Sequence, residues 1–131
     1  MEQEILASFG NRLRVRVCGI CIQDSKILLI KHRNIGKAGY LWSPPGGGLE
    51  FGETLQACLE REFLEETHLS IKVEKFLFVH EFLEPPLHAI ELFFKVSILE
   101  GTLGLGEDPE MPENGQILEE IAFLDYPHLR Q

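Results

Sequence analysis

Cysteine is scarce in this chain of 131 residues: Cys18, Cys21 and Cys58 are the whole set. So small and odd a number excludes the disulfide framework that staples small secreted domains, and fits a reducing compartment. Cys18 and Cys21 have C-x-x-C spacing, yet no second cysteine or histidine pair stands at zinc-site spacing. The stretch also reads as a strand, in which residues three apart point to opposite faces, so these are read as small buried thiols. Basic residues are few too. Twelve Lys and Arg against 21 Asp and Glu leave a formal net charge of -9. That removes the basic surface on which nonspecific nucleic-acid binding depends. No apolar run approaches the roughly 20 residues of a membrane span. Met1-Glu2-Gln3-Glu4 is acidic where a signal peptide is basic. The expectation is therefore a cytoplasmic protein with neither a nucleic-acid nor a membrane partner.

What is present is ordinary for a soluble domain: 44% hydrophobic and 25% charged residues. The length predicts a single domain over residues 1–131, with a core that needs no disulfide or structural metal. From Arg12 the pattern turns apolar and β-branched (Leu13, Val15, Val17, Ile20, Ile22), with Arg12, Arg14 and Arg16 alternating at its start. That is a strand with one wet face. Asp24-Ser25 reads as a hairpin turn and Ile27-Leu28-Leu29-Ile30 as its buried partner. Residues 33–40 form a loop, and Pro44-Pro45-Gly46-Gly47-Gly48 is expected to be irregular. Thr54 to Glu66 contains strong helix formers and neither Gly nor Pro, with Thr54 as N-cap. Strands are expected at about 70–83 and 88–99, a long acidic loop at 101–115, a strand from Ile117 to Leu124 and a short helix from Tyr126. The mixed order predicts an α/β layered domain with a mixed sheet.

The helix carries the chemistry. With Glu62 at zero on a wheel of 100° per residue, Glu65 falls at about -60° and Glu66 at about +40°. Leu55, Cys58 and Leu59 fall at about +20°, -40° and +60°, on the same face. The stripe is apolar in the first half of the helix and acidic in the second. A solvated run of glutamates should instead lie opposite the apolar stripe. Three carboxylates crowded on the packed face repel one another, and divalent cations relieve that repulsion. Carboxylate oxygens are the hard ligands that Mg²⁺ and Mn²⁺ prefer. A bound cation would also offset the repulsion between an acidic protein and a phosphorylated ligand. Gly46-Gly47-Gly48 ahead of the helix lets backbone come close to a metal or phosphate. It is no Walker A loop, since no Gly-Lys-Ser/Thr follows.

Together, Gly47 to Leu69 resembles the Nudix box, G-x5-E-x7-R-E-U-x-E-E-x-G-U, where U is bulky and apolar. Gly47, Glu53, Arg61-Glu62, Phe63, Glu65-Glu66 and Leu69 occupy its fixed positions, and Trp42-Ser43-Pro44-Pro45-Gly46 resembles the usual approach. One position departs: His68 stands at the glycine near the helix end. That glycine serves a C-terminal cap with positive φ, where His costs on the order of 1 kcal/mol. The resemblance implies an α/β/α sandwich with a mixed sheet and the box as loop–helix–loop. It implies that Glu62 and Glu66 ligate metal, with Glu65 as a further ligand or a base. The Gly46 carbonyl is a further ligand, Glu53 supports the metal shell, and Arg61 holds the box together through a carboxylate.

The implied reaction is metal-dependent attack of water on a diphosphate linkage in a nucleoside diphosphate derivative, with Mg²⁺ or Mn²⁺ as cofactor. The base sits in the box or on a distant loop, and the acids Glu107, Asp108, Glu110 and Glu113, with Glu119 and Glu120 behind them, are the distant candidates. Trp42, Phe51, Phe82 and Tyr40 are candidates to stack a base, and His80 and His88 lie on predicted strands near the site. Trp42, Phe51, Glu110 and Glu113 form the candidate substrate set. Pro85 lies sixteen residues beyond Leu69, where a proline is a marker of the family's ADP-ribose-cleaving subgroup. The chain lacks that subgroup's long N-terminal extension, so ADP-ribose, another nucleotide sugar and a nucleoside triphosphate all stay open. The alternative is a Nudix-fold sensor that binds a nucleotide or nucleotide sugar without cutting it. Intact Glu62, Glu65 and Glu66 weigh against it, since a pure binder has no need of them. A homodimer is compatible with the resemblance.

Overall fold

The computed structural model describes residues 10–33, 40–104 and 118–125. Its elements are β1 (Leu13–Ile20), β2 (Ile22–Gln23), β3 (Lys26–Arg33), β4 (Tyr40–Ser43), β5 (Gly46–Gly48), α1 (Leu55–Thr67), β6 (Ser70–Glu84), β7 (Leu87–Glu100) and β8 (Leu118–Asp125). They form two sheets. One has the order β5-β1-β7-β6; in the other, β3 pairs with β2, β4 and β8. The first is mixed, as the sequence order predicts: β1 runs parallel to β7, while β1–β5 and β6–β7 are antiparallel.

Local signals place most of these elements. Asp24 and Ser25 both have positive φ, 53° and 65°, the geometry that suits the twist of a two-residue hairpin. Pro85 and Pro86 join β6 to β7, whose ladder closes at Glu84 opposite Leu87. Thr54 caps α1: its hydroxyl accepts from the Ala57 amide at 3.0 Å, satisfying a donor that the helix leaves open. At the other end His68 is left-handed, with φ 63° and its amide donating to Leu64 O at 3.2 Å. The Thr67 hydroxyl donates to Phe63 O at 2.6 Å and accepts from Leu69 N at 3.2 Å, tying the helix end to the start of β6.

One sequence expectation changes. The glycine run is not irregular: it forms β5, with Val17 opposite Gly47 and Cys18 opposite Gly46. Close approach makes this possible, because a Cβ on Gly46 would meet Val17 O at 2.2 Å. A strand is allowed there because there is no side chain to exclude it. The α/β class with a mixed sheet expected from the sequence is borne out, with one helix among the described residues. Tyr126 to Gln131, read as a short helix, fall outside the described residues.

The core joins the first sheet, α1 and β3 through Val17, Cys21, Leu28, Cys58, Leu59, Phe63, Leu69, Ile71 and Val96. Phe63 is fully buried, and truncating such a side chain to alanine costs about 3–5 kcal/mol. Among the described residues no helix is long and apolar enough to cross a membrane.

Candidate active site

The acidic stripe on α1 is buried. Glu62 and Glu66 are each 4% exposed, alongside Cys58, Leu59, Phe63 and Thr67. The side chain of Glu65 is 30% exposed. The wheel therefore places the acids correctly: they continue the packed face and lie against β5. Glu66 Oε1 accepts from the Gly46 amide at 3.0 Å. The Glu62 carboxylate occupies the space above Gly47, where a Cβ would come within 2.2 Å of Oε2. The Cys58 thiol reaches the Gly47 and Gly48 carbonyls at 3.9 and 3.6 Å, so helix and glycine strand are joined along three residues.

Arg61 organises the entrance. Its Nε and a terminal nitrogen donate to the two oxygens of Glu53 at 2.7 and 2.9 Å, a bidentate fork. The other terminal nitrogen donates to Glu62 at 3.0 Å and to Glu65 at 3.4 Å. The Arg61 hydrogen bond holds the Glu53 carboxyl well below its ordinary range, at about 2. Glu53 is thus the counter-ion of Arg61, and Arg61 bridges it to Glu62 and Glu65.

Arg16 and Cys18, paired with Gly48 and Gly46 of β5, line a cavity of about 260 Å³ with His32, Leu41, Ser43, Pro44, His80, Phe82, Glu91 and Phe93. Glu91 is 8% exposed and forms an ion pair with Arg16. His80 Nδ1 lies 3.1 Å from its other oxygen. Burial opposes the charge on Arg16, but the carboxylates of Glu91 and Glu66 outweigh it and push the Arg16 pKa up. So Arg16 stands electrostatically between the helix carboxylates and the cavity. Burial, reinforced by the Arg16 charge, pushes His32 down to about 4, so the imidazole is neutral at pH 7. Burial pushes the Cys18 thiol up to about 12; Arg16 opposes this, and Glu91, Glu66 and Glu62 add to it.

Sequence reasoning missed Arg16 and Glu91. The only signal was the period: Arg14 and Arg16 alternate with apolar residues, as on a wet face, and nothing in the sequence placed Glu91 in the parallel register that sets it opposite Arg16. Of the expected aromatics, Phe82 lines the cavity with His80. Trp42 lies between two lining residues, Leu41 and Ser43, and is not itself in the lining. Phe51 is fully exposed and borders a separate cleft with Arg12, Arg14 and Glu53. His88 bonds Glu81 at 2.7 Å instead of the cavity. Glu120 is exposed on β8; Glu107, Asp108, Glu110 and Glu113 lie outside the described residues, and Tyr40 and Glu119 stand on β4 and β8.

The donor set suits a hard divalent cation: Glu62, Glu66, Glu65 and the Gly46 carbonyl offer only oxygen. Among the described residues no three acidic, histidine or cysteine side chains already converge as a closed cage. The reason is visible, since Arg61 draws Glu62 and Glu65 while the Gly46 amide holds Glu66. A cation would take these carboxylates from partners that are already in place.

The NUDIX domain model matches residues 11–128. An ADP-ribose pyrophosphatase of Methanocaldococcus jannaschii is 39% identical over 101 residues, 76% of this chain and 59% of that protein. Phosphatase NudJ of Escherichia coli K12 is 35% identical over 85 residues, 60% of this chain and 54% of that protein. The chain thus spans little more than half the length of these relatives. A MutT NUDIX hydrolase of Burkholderia pseudomallei shares the fold with TM-score 0.71 at 22% identity, covering 86% of this chain and 83% of that one. A NUDIX hydrolase of Nitrosomonas europaea gives TM-score 0.69 at 22% identity, over 91% and 76%. A family match over nearly the whole chain, on a fold that buries the box carboxylates against its glycines, means that this chain belongs to the NUDIX domain family.

Proposed function

We propose that this chain is a pyrophosphohydrolase that cuts a phosphoanhydride bond in a nucleoside diphosphate derivative, with ADP-ribose the first candidate. The observation that carries the reading is the pair of buried carboxylates, Glu62 and Glu66, set against the glycine strand beside a cavity with an arginine in its wall. The likeness to an ADP-ribose pyrophosphatase supports the substrate choice. Glu62, Glu65, Glu66 and the Gly46 carbonyl would hold Mg²⁺ or Mn²⁺, which supplies charge neutralisation at phosphate oxygens and activation of water.

The chain's own residues do the rest. Glu65 is the most exposed of the three helix acids, and so the one placed to take a proton from the attacking water. The water oxygen bonds to phosphorus, the bridging P–O bond breaks, and the bridging oxygen leaves as a phosphate monoester. Arg61, fixed by Glu53, keeps Glu65 oriented. The cavity receives the non-reacting part of the substrate: Phe82 and Phe93 offer apolar surface, and neutral His32, Ser43 and Glu91 offer directional hydrogen bonds. Arg16 faces the substrate's negative charge from that wall.

Chromatographic detection of the nucleoside monophosphate formed from ADP-ribose, other nucleotide sugars and nucleoside triphosphates with Mg²⁺ or Mn²⁺ tests the reading. Turnover of one class is expected, with loss of at least about a hundredfold in Glu66→Gln. Tight binding of a nucleotide sugar without any turnover would identify a sensor instead. Unchanged turnover in Glu66→Gln would refute the site.

A further inference from the structure

We propose that the outer edge of β6 is a self-pairing surface, along which two copies of this chain join antiparallel about a two-fold axis close to Val79. β6 ends the first sheet, and among the described residues no strand pairs with its outer side. Edge strands are normally guarded by charge, proline or brevity. This one is 15 residues long. In its middle Phe76, Leu77, Phe78 and Val79 follow one another at 52%, 37%, 48% and 57% exposure, and Leu83 is 60% exposed. Bulges at Glu74 and Leu77 interrupt its ladder with β7, but from Phe78 to Glu84 the register is unbroken.

The charges name the occupant. Lys72 and Lys75 lie on one side of the apolar centre, Glu81 and Glu84 on the other. Measured on the neighbouring β7 ladder, Lys72 and Lys75 stand opposite Ser97 and Lys95, and Glu81 and Glu84 opposite Ile90 and Leu87. The midpoint between Lys72 and Glu84 falls at Leu92, the partner of Val79, and that between Lys75 and Glu81 falls within one residue of it. An antiparallel second copy centred there lays each basic end over an acidic end, twice by symmetry. An acidic or a basic partner of another kind would match one half of the edge and be repelled by the other. Among the described residues Lys72, Lys75 and Glu84 have no ion-pair partner within the chain. Glu74, the one acid at the basic end, is held by Ser97 and Lys95 of β7. The same strand carries His80 and Phe82 into the cavity wall, so self-pairing would also brace that wall.

Sedimentation of the full chain over a concentration series tests this without reference to activity. The expected result is a reversible shift to twice the mass of one chain. Glu84→Lys, which sets lysine against Lys72 at both ends, should weaken association at least about tenfold. Lys72→Glu combined with Glu84→Lys should restore it, because the exchanged charges again face each other. Circular dichroism of each variant checks that the fold is kept. A single-chain mass at every concentration would overturn the proposal, as would a dimer indifferent to Glu84→Lys or a charge-exchanged variant no better than the single one.

Discussion

Gly47→Ala should cripple the site while sparing the fold. The added methyl would meet the Glu62 carboxylate at 2.2 to 2.4 Å, where ordinary contact begins at 3.4 Å. The carboxylate must retreat by about 1 Å or more, the size of displacement that can cost about a hundredfold in rate. That corresponds to about 2.7 kcal/mol of transition-state stabilisation. The atoms it meets end a flexible side chain, so backbone need not move. Gly46→Ala is the contrast, because its methyl meets the Val17 carbonyl at 2.2 Å and Cys18 Cα at 2.7 Å. It should unfold or lose several degrees of Tm, since packed backbone has nowhere to go. Steady-state kinetics and thermal melts of both variants separate the cases. Wild-type kcat in Gly47→Ala would refute the argument that Glu62 must stay where the glycine lets it lie. Equal loss of Tm in the two variants would refute the distinction between side chain and backbone.

Two further outcomes follow from the ionisation of the site. Glu53 titrates at about 2 in the fold against an ordinary 4.5. Its contribution, about 2 kcal/mol, is therefore complete above about pH 4.5 and lost as pH falls towards 2. Glu53→Gln should lower stability at neutral pH and flatten the melting curve across that window; a parallel offset at every pH would refute the linkage. Burial pushes the Cys18 and Cys58 thiols up to about 12, and Cys21 is also raised and buried. The native chain should resist a thiol reagent at pH 8 and react only after denaturation.

The helix was legible because several local rules agree on it. Thr54 supplies an acceptor, the interior lacks Gly and Pro, and His68 takes the left-handed turn at the end. Its packed face was legible for the same reason, as Cys58, Leu59, Glu62 and Glu66 recur at helical spacing. The glycine run was misread because composition marks glycine as a breaker, whereas the strand depends on what crosses it, namely Val17 and Glu62. The cavity was illegible for a related reason. Arg16, His32, His80 and Glu91 come from four strands, and only the parallel pairing of β1 with β7 sets Arg16 beside Glu91. Sequence period records which residues share a face of one element, but not which elements meet.

That meeting fixes the charge at the site. Among the described residues Arg61 and Arg16 lie amid five carboxylates, those of Glu53, Glu62, Glu65, Glu66 and Glu91. Arg61 divides its bonds among Glu53, Glu62 and Glu65, and Arg16 is paired with Glu91 and coupled to Glu66, so within this set the carboxylates outnumber the guanidiniums and its net charge is negative. A phosphate approaching this group meets repulsion unless cations arrive with it. Mg²⁺ or Mn²⁺ should therefore stabilise the folded chain even without substrate. A saturating ion at about a hundred times its Kd adds about 2.7 kcal/mol, because the unfolded chain offers no such cluster. Melts with and without the ion, and after chelation, read this directly. Glu62→Gln and Glu66→Gln should each shrink the metal-induced gain, since each removes a charged oxygen ligand. A melting temperature that neither ion moves would refute both the metal assignment and the charge argument behind it.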